Sequence, residues 1–271
     1  MPELPEVETT RRYIAPYVTG KRVERVIVRA ASLRRPIPPE LTAKLPGRTV
    51  RAVERRGKYL LLRCDKGTVI LHLGMSGHLR IVPADTPPEK HDHLDIVLSG
   101  GLSLRFNDPR RFGLALWTDS DPMQHPLLAG LGPEPLEKGF DGACLYRKSR
   151  SRLVAAKQFI MNSRIVAGVG NIYANEALFR AGIHPAKAAG RLSRPQCELL
   201  ADAVREVLLA SIAEGGTSIR DFSLGEEKPG YFALRLNVYG RSGEPCPSCG
   251  APIQQARQGG RATYFCRQCQ K

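Results

Sequence analysis

Two Cys-x-x-Cys pairs near the C-terminus constrain the fold more than any other feature of this chain. Cys246 and Cys249 form the first pair, sixteen residues follow, and Cys266 and Cys269 form the second. Two turns that each present two thiolates match the ligand spacing of a tetrahedral zinc site. A redox role or disulfides are the alternatives. We predict one structural Zn²⁺, because a module of about 35 residues with little apolar content needs the metal in order to fold.

The segment between the two cysteine pairs predicts a β-hairpin with arginine at its tip. Arg257, Gly259, Gly260 and Arg261 precede the strand-like run 262–265. This tip is either a solvated basic turn or a finger placed on phosphates or in a groove. The charge of the chain favours the finger.

The charge balance indicates a polyanionic partner. Lys and Arg total 41 against 26 Asp and Glu, which gives a net charge of +15 and a pI of about 9.8. Nucleic acid is the first expectation and an anionic membrane surface the second. Because no stretch approaches the roughly 18 apolar residues that span a bilayer, and no signal peptide is apparent, we expect an intracellular protein. Cys64, Cys144 and Cys197 are predicted to be buried small hydrophobes.

The periodicity divides the chain into a β-rich part and a helical part. A helix is predicted from Pro5 to Val18, with Pro5 in its first turn. Short apolar runs bounded by turn residues then predict a sandwich-like or barrel-like β domain. The predicted strands are Arg22–Val28, Thr49–Val53, Tyr59–Arg63, Thr68–Leu73, His78–Val82, Asp95–Leu98, Leu102–Phe106 and Leu114–Trp117.

Helical periodicity follows a stretch rich in Pro and Gly. Helices are predicted over Ser151–Asn162 and Ile172–Ala181, and Ser193-Arg-Pro-Gln196 has the form of a capping box that opens a third. The turn Gly168-Val-Gly170-Asn171 lies between the first two helices. Such a turn is either ordinary, or a helix-two turns-helix element that binds a DNA backbone through the start of its second helix.

The N-terminus combines a secondary amine with a carboxylate. If Met1 is removed, Pro2 can attack a carbonyl-like carbon, and Glu3 is an acid beside it. The positive end of the following helix disfavours an ammonium there and so keeps more of the amine neutral. The competing interpretation is a terminus that is frayed or merely capped.

Two loops of the β domain carry a large apolar residue at a turn, and the second loop also carries arginine. Met75 lies between glycines, and Arg110, Arg111 and Phe112 follow Asp-Pro. Core filling and turn chemistry explain most such residues. However, apolar wedges beside arginine are also what fills the hole left by an everted base. His91-x-His93 is not expected to bind metal, because no further ligands are nearby in sequence.

Taken in order, these motifs resemble the bacterial formamidopyrimidine-DNA glycosylases, whose architecture is similar to that of endonuclease VIII. The resemblance covers essentially the whole chain. It rests on Pro-Glu at the N-terminus, Gly-Lys-Tyr-Leu-Leu-Leu62, His-Leu-Gly-Met-Ser-Gly77, Asp-Pro-Arg-Arg-Phe-Gly113, Gly-Val-Gly-Asn-Ile-Tyr173, Lys-Pro-Gly-Tyr-Phe232 and the four cysteines.

The resemblance implies an α+β fold in which DNA lies across a cleft between two lobes. An N-terminal catalytic β-sandwich would occupy residues 1–133 and a linker residues 134–150. A helix-two turns-helix domain would occupy residues 151–235 and a zinc finger residues 236–271. The expected partner is damaged double-stranded DNA, and the expected protein is a monomer in the bacterial cytoplasm, associated with the nucleoid.

The resemblance also implies a role for each motif residue in excising oxidised purines and cutting the strand at the abasic site. Pro2 would be the nucleophile and Glu3 its acid, while Lys58 and Arg261 would assist proton transfer, elimination and phosphate contact. Asn171, His91 and Arg152 would contact DNA. Met75, Arg110 and Phe112 would fill the vacated stack, and a loop over residues 217–231 would close on the everted base.

Two rival functions stay open at this point. An endonuclease VIII-like enzyme would use the same covalent chemistry on oxidised pyrimidines. A non-catalytic zinc-containing DNA-binding protein would keep the DNA-binding surface without the reaction. The presence of Pro2, Glu3 and Lys58 argues against the second rival.

Overall fold

The computed structural model describes residues 2–215 and 236–271. The chain divides into two compact units, which we call the β unit, including residues 2–129, and the helical unit, including residues 130–214 and 236–271. The expectations about Met1 and about the loop 217–231 lie outside the described residues.

The β unit contains two antiparallel four-stranded sheets within residues 2–129. One sheet has the strand order β1-β6-β7-β5 and the other has the order β2-β3-β4-β8. The strands are β1 (Val23–Val28), β2 (Val50–Arg56), β3 (Tyr59–Cys64), β4 (Thr68–His72), β5 (His78–Pro83), β6 (Asp92–Leu98), β7 (Leu102–Asn107) and β8 (Leu114–Thr118). Each predicted strand is confirmed, with ends that differ by a few residues.

Both sheets contribute to one hydrophobic core. Leu60, Val69 and Leu71 reach it from one sheet, and Ile96 and Leu104 reach it from the other. Helix α1 (Leu4–Val18) adds Val7, Ile14 and Val18 to the same core, and α2 (Pro39–Lys44) adds Leu41. The sandwich therefore holds the first helix, and with it the N-terminus, in a fixed place.

The helical unit contains four described α-helices and one described hairpin. The helices are α3 (Gly142–Ser149), α4 (Ala156–Met161), α5 (Asn171–Arg180) and α6 (Arg194–Ala213), and the hairpin consists of β9 (Gln254–Gln258) and β10 (Arg261–Phe265). The predicted capping box is confirmed, because Gln196 N donates to Ser193 Oγ at 3.3 Å and Ser193 N donates to Gln196 Oε1 at 3.2 Å. Cys144 and Cys197 are buried as predicted, whereas Cys64, for which the same was predicted, is only partly buried.

Two sequence expectations in the helical unit need correction. Helix α4 begins at Ala156 rather than at Ser151, because Ser151 has a positive φ of 60° and Ala155 is extended and bridged to Ala188. Helix α3 lies inside the stretch predicted as a linker. It forms because the Asp141 carboxylate accepts from Cys144 N at 2.6 Å and caps it, and it packs against α6.

Candidate active site and zinc centre

The N-terminus is part of the folded β unit rather than a frayed end. Pro2 is buried, and Glu3 exposes only 2% of its surface. The Glu3 amide donates to Glu6 Oε2 at 2.7 Å, which ties the residue before α1 to the first turn of that helix. Helix α1 therefore fixes the backbone beside Pro2 while the positive end of its dipole lies at the same place.

A carboxylate on α1 connects this helix to the turn that carries Lys58. Glu8 accepts hydrogen bonds from Arg11, Arg12 and Arg55. Burial alone would raise the pKa of Glu8, but these guanidinium groups outweigh it and lower the pKa to about 2. Arg55 also donates to the Gly57 carbonyl at 3.1 Å, in the turn between β2 and β3. Lys58, which follows, is thus attached indirectly to the helix that begins at the N-terminus.

His72 shapes the loop that carries Met75. Its Nδ1 accepts from Gly74 N at 2.9 Å, which requires that nitrogen to be unprotonated. Burial, together with the charges of Arg34 and Lys58, lowers the pKa of His72 to about 3. The imidazole is therefore neutral at physiological pH and remains an acceptor.

The loop at residues 73–77, called the Met75 loop, packs directly against the loop at residues 108–113, called the Phe112 loop. Gly74 has a φ of +67°, and a Cβ there would lie 2.4 Å from the Phe112 carbonyl carbon. Met75 is 38% exposed and Phe112 is 42% exposed. The Arg110 guanidinium lies 5.2 Å from the centre of the Phe112 ring. The three predicted stack-filling residues thus come from one pair of adjoining loops.

His91 lies beside the Phe112 loop. It has a φ of +75°, and its carbonyl accepts from Asp108 N at 3.0 Å. His93 is buried nearby, with Nε2 2.9 Å from the Asp108 carbonyl oxygen. The β unit therefore places His91 next to the residues predicted to fill the stack.

In the helical unit, Asn171 and Arg261 both lie next to Ala262, a residue of the hairpin. Asn171 is the first residue of α5, and its Nδ2 donates to the Ala262 carbonyl at 3.1 Å. Arg261 precedes Ala262 and is exposed at the start of β10. Gly259 and Gly260 both have positive φ, as a two-residue type I′ turn requires. The predicted hairpin with arginine beside its tip is confirmed.

Arg152 lies on the segment between α3 and α4. Its Nε donates to the Lys148 carbonyl at 2.7 Å, and its own carbonyl accepts from Gly190 N at 2.8 Å. These contacts fix its backbone near the end of α3.

The four cysteines converge as the spacing predicts. Their sulfur atoms all lie within 4.8 Å of one another. The Sγ atoms of Cys246 and Cys269 are 3.8 Å apart, and those of Cys249 and Cys266 are 3.5 Å apart. A tetrahedral Zn²⁺ with Zn–S bonds of about 2.3 Å requires sulfur–sulfur separations of about 3.8 Å. The donor set and its dimensions fit one structural zinc ion.

Three residues that support these sites were missed by the sequence analysis. They are Asp108 in the Phe112 loop, Lys157 on α4 and Arg55 in β2. Each is connected to its site by a hydrogen bond. The bonded partner lies 2 positions away in sequence for Arg55, 32 for Asp108 and 106 for Lys157. Arg55 and Asp108 lie within motifs that the sequence already singles out, whereas no motif around Lys157 marks that residue.

The β sandwich, the α4–α5 turn and the four-cysteine hairpin define a class of helix-two turns-helix proteins with a zinc finger. Three family models match the chain. The "Formamidopyrimidine-DNA glycosylase N-terminal domain" matches residues 1–115, the "Formamidopyrimidine-DNA glycosylase H2TH domain" matches residues 131–223, and the "Zinc finger found in FPG and IleRS" matches residues 243–271.

Individual relatives are similar over the full length. A formamidopyrimidine-DNA glycosylase of Geotalea uraniireducens is 62% identical over 270 residues and covers 100% of both chains. The solved structure of a Lactococcus lactis FPG variant complexed with a Fapy-dG containing DNA has a TM-score of 0.92 at 36% identity, with 100% of both chains covered. The Lactococcus lactis Fpg complexed with an abasic site containing DNA has a TM-score of 0.91 at 37% identity, with 99% of both covered. This chain belongs to the formamidopyrimidine-DNA glycosylase family.

Proposed function

We propose that this protein is a base-excision-repair DNA glycosylase with AP lyase activity that removes oxidised purines such as 8-oxoguanine and formamidopyrimidines. The observation that carries the proposal is the full-length match to a formamidopyrimidine-DNA glycosylase at 62% identity. The similarity to a relative bound to Fapy-dG DNA supports the purine class of lesion. Its partner is damaged double-stranded DNA, and it carries one structural zinc.

Pro2 is the proposed nucleophile. An α-amine has an ordinary pKa of about 7.7–8.0 against about 10.4 for lysine, so far more of it is unprotonated at neutral pH. Removal of Met1 is required, because the Pro2 nitrogen is otherwise an amide. The nitrogen lone pair forms a bond to C1′, the C1′–N9 bond breaks, and the base leaves with a proton from an acid of the site. After the Pro2 nitrogen loses its proton, the C1′–O4′ bond breaks and O4′ takes up a proton. The iminium ion that forms at C1′ holds a positive charge beside C2′.

That positive charge makes strand cleavage feasible. A proton leaves C2′ and the C3′–O bond breaks, which releases one phosphate. A second elimination then takes a proton from C4′ and breaks the C5′–O bond. Glu3, buried next to Pro2, is the proposed acid for sugar ring opening and proton transfer. Lys58 and Arg261 are the proposed partners for later proton transfer and for the phosphates.

The remaining motif residues are proposed to bind DNA. Met75, Arg110 and Phe112 fill the space of the everted base, and Asn171, His91 and Arg152 contact the duplex. Everting a base costs a few kcal/mol and is cheapest at damaged positions, so filling the stack also favours damage recognition. With a net charge of +15, phosphate contacts supply most non-specific affinity, and binding should fall steeply with salt.

The domain limits and the cellular location are proposals as well. We assign catalysis to residues 1–133, a connection that contains helix α3 to 134–150, the helix-two turns-helix domain to 151–235 and the finger to 236–271. Within the described residues, no helix is both long and apolar enough to cross a bilayer. A DNA repair enzyme of this charge is expected to associate with the nucleoid as a monomer.

Borohydride trapping tests the covalent mechanism. Zinc-loaded protein without Met1 should become linked to a duplex that contains 8-oxoguanine, and peptide mass mapping should place the adduct on Pro2. Met1-retaining protein, identified by its intact mass, is the matched control and should give no adduct. Failure of the processed, folded protein to form an adduct would refute the mechanism.

A comparison of two lesions separates the purine enzyme from its endonuclease VIII-like rival. Duplexes that differ only in carrying 8-oxoguanine or an oxidised pyrimidine should be cleaved at clearly different rates, with 8-oxoguanine faster. The reverse order would support the pyrimidine enzyme. Binding without cleavage of either would support the non-catalytic protein.

A further inference from the structure

One buried carboxylate holds both of the adjoining loops. Asp108 is fully buried, and its Oδ1 accepts from the Ser76 hydroxyl of the Met75 loop at 2.8 Å. Its Oδ2 accepts from Gly113 N, at the far end of the Phe112 loop, at 2.7 Å. Each carboxylate oxygen is therefore bonded to a different loop.

Further hydrogen bonds connect the two loops and stabilise the turn of the Phe112 loop. Arg110 N donates to the same Ser76 hydroxyl at 3.2 Å, so the serine is bonded to two positions of the Phe112 loop. Arg111 N donates to the Asp108 carbonyl at 3.2 Å, which fixes the turn itself. A side chain at Gly74 would overlap the Phe112 backbone, so the two loops are also in direct backbone contact.

Both loops carry their functional side chains outward. Met75 and Phe112 are exposed large hydrophobic residues, and Arg110 lies over the Phe112 ring. Exposed residues on two independent loops would each have to be ordered when they enter a duplex, which costs conformational entropy for every backbone residue that is fixed. Loops already fixed to each other avoid part of that cost.

We propose that Asp108 is a positioning residue that makes the Met75 and Phe112 loops one rigid unit, so that their side chains enter the DNA stack together. This inference rests on the proposed function, because it concerns filling the space of an everted base. Asp108 and Ser76 touch neither the base nor the reacting atoms in this scheme. They act through the placement of Met75, Arg110 and Phe112.

A carboxylate suits this task because it offers two acceptors and no donor. Asp108→Asn keeps the size of the side chain but replaces one acceptor oxygen by an NH₂ group. The Gly113 amide can only donate, so the remaining oxygen must serve it, and the NH₂ group must donate to Ser76. The Ser76 hydroxyl already accepts from Arg110 N, and in this variant it no longer has the Asp108 oxygen to which it donates. The bond between the loops should therefore be weakened and not only rearranged.

The first test uses Ser76→Ala and compares two rates. One is excision of 8-oxoguanine from a paired duplex, which requires eversion and filling of the stack. The other is cleavage of an abasic site in a single strand, which requires neither. The ratio of the duplex rate to the single-strand rate should fall about tenfold, the scale expected when buried hydrogen bonds are lost. Asp108→Asn should lower the same ratio.

Ser103→Ala is the matched control. Ser103 is buried on β7, and its hydroxyl donates to the Ile96 carbonyl at 3.5 Å, a long hydrogen bond between neighbouring strands. Its ratio should equal that of the wild type. An unchanged ratio in both Ser76→Ala and Asp108→Asn would overturn the inference while leaving the proposed function intact. A wild-type protein that cleaves neither substrate would overturn the proposed function and this inference with it.

The second test needs no variant and so does not depend on how a substitution folds. If the loops open together, hydrogen exchange at Gly74 and Gly77 should show the same protection and denaturant dependence as exchange at Arg110 and Gly113. Clearly different opening behaviour of the two pairs would contradict a single rigid unit.

Discussion

Lys157 Nζ lies 2.7 Å from the carbonyl oxygen of Ala262, so a buried ammonium on α4 is bonded to the second strand of the zinc hairpin. The same ammonium donates to Thr263 Oγ1 at 2.7 Å. Asn171 at the start of α5 donates to the same Ala262 carbonyl. One carbonyl oxygen therefore joins two helices to the strand that begins with Arg261.

Lys157→Met should loosen this junction while keeping most of the buried side-chain volume. We expect hydrogen exchange of the Tyr264 amide, which donates to Asn175 Oδ1, to accelerate about tenfold or more, since buried hydrogen bonds are lost. The affinity of the same variant for a duplex that contains an abasic-site analogue should be lower than that of the wild type. Lys138→Met removes the same charge from an exposed position and should change neither quantity. Equal exchange in both variants would exclude Lys157 as the link.

Cys266→Ser should release zinc and abolish DNA binding before the β unit is damaged. The hairpin has a small core of its own that includes Val238, Ile253 and Cys266, so it depends on the metal for its order. Zinc content, duplex affinity and thermal melting should be measured together. Cys64→Ser makes the same chemical change outside the finger and should retain both zinc and binding. Full duplex affinity in zinc-free protein would contradict a role for the finger.

Gly74→Ala should destabilise the β unit more than Gly101→Ala. Both positions have positive φ, which costs an L-residue about 1–2 kcal/mol. Only Gly74 also has backbone within 2.4 Å of the added Cβ, whereas nothing lies within 4 Å of the Cβ at Gly101. Chemical denaturation should report the difference, and duplex excision should fall only in the Gly74 variant. Equal destabilisation would mean that the loop moves aside at little cost.

Glu8→Gln should show a pH-dependent loss of stability. The pKa of Glu8 falls from 4.5 to about 2 on folding, so its ionisation stabilises the fold at pH values above 4.5. That stabilisation is lost progressively as the pH falls from 4.5 toward 2. At pH 7 the variant should be less stable by about 2 kcal/mol, a figure already reduced for solvent screening.

Denaturation of Glu8→Gln at pH 7, 4 and 2.5 provides the measurement. Its deficit relative to the wild type should shrink as the pH falls. Glu24→Gln removes the same charge from an exposed position on β1 and should show a small, nearly constant effect. A deficit in Glu8→Gln that does not depend on pH would exclude the ion-pair network as its cause.

Local signals in the sequence predicted the elements well, and long-range contacts account for what was missed. The capping box at Ser193 and Gln196 and the Gly259-Gly260 turn determine their structures within a few residues, so both were predictable. Helix α3 was missed because Asp141 caps it within a stretch of Pro and Gly residues. No local pattern indicates that Asp108 bonds to Ser76, which lies 32 positions earlier, or that Lys157 bonds to Thr263, which lies 106 positions later.

The tight turn of the zinc hairpin limits how its length can vary. Arg261 pairs directly with Gln258 across two glycines, and side chains alternate between the two faces of a strand. An insertion or deletion of one residue in β10 would move Arg261 to the opposite face, whereas a change of two residues would restore its direction. Length changes in this hairpin among functional relatives should therefore occur in steps of two, or be confined to segments outside the paired strands.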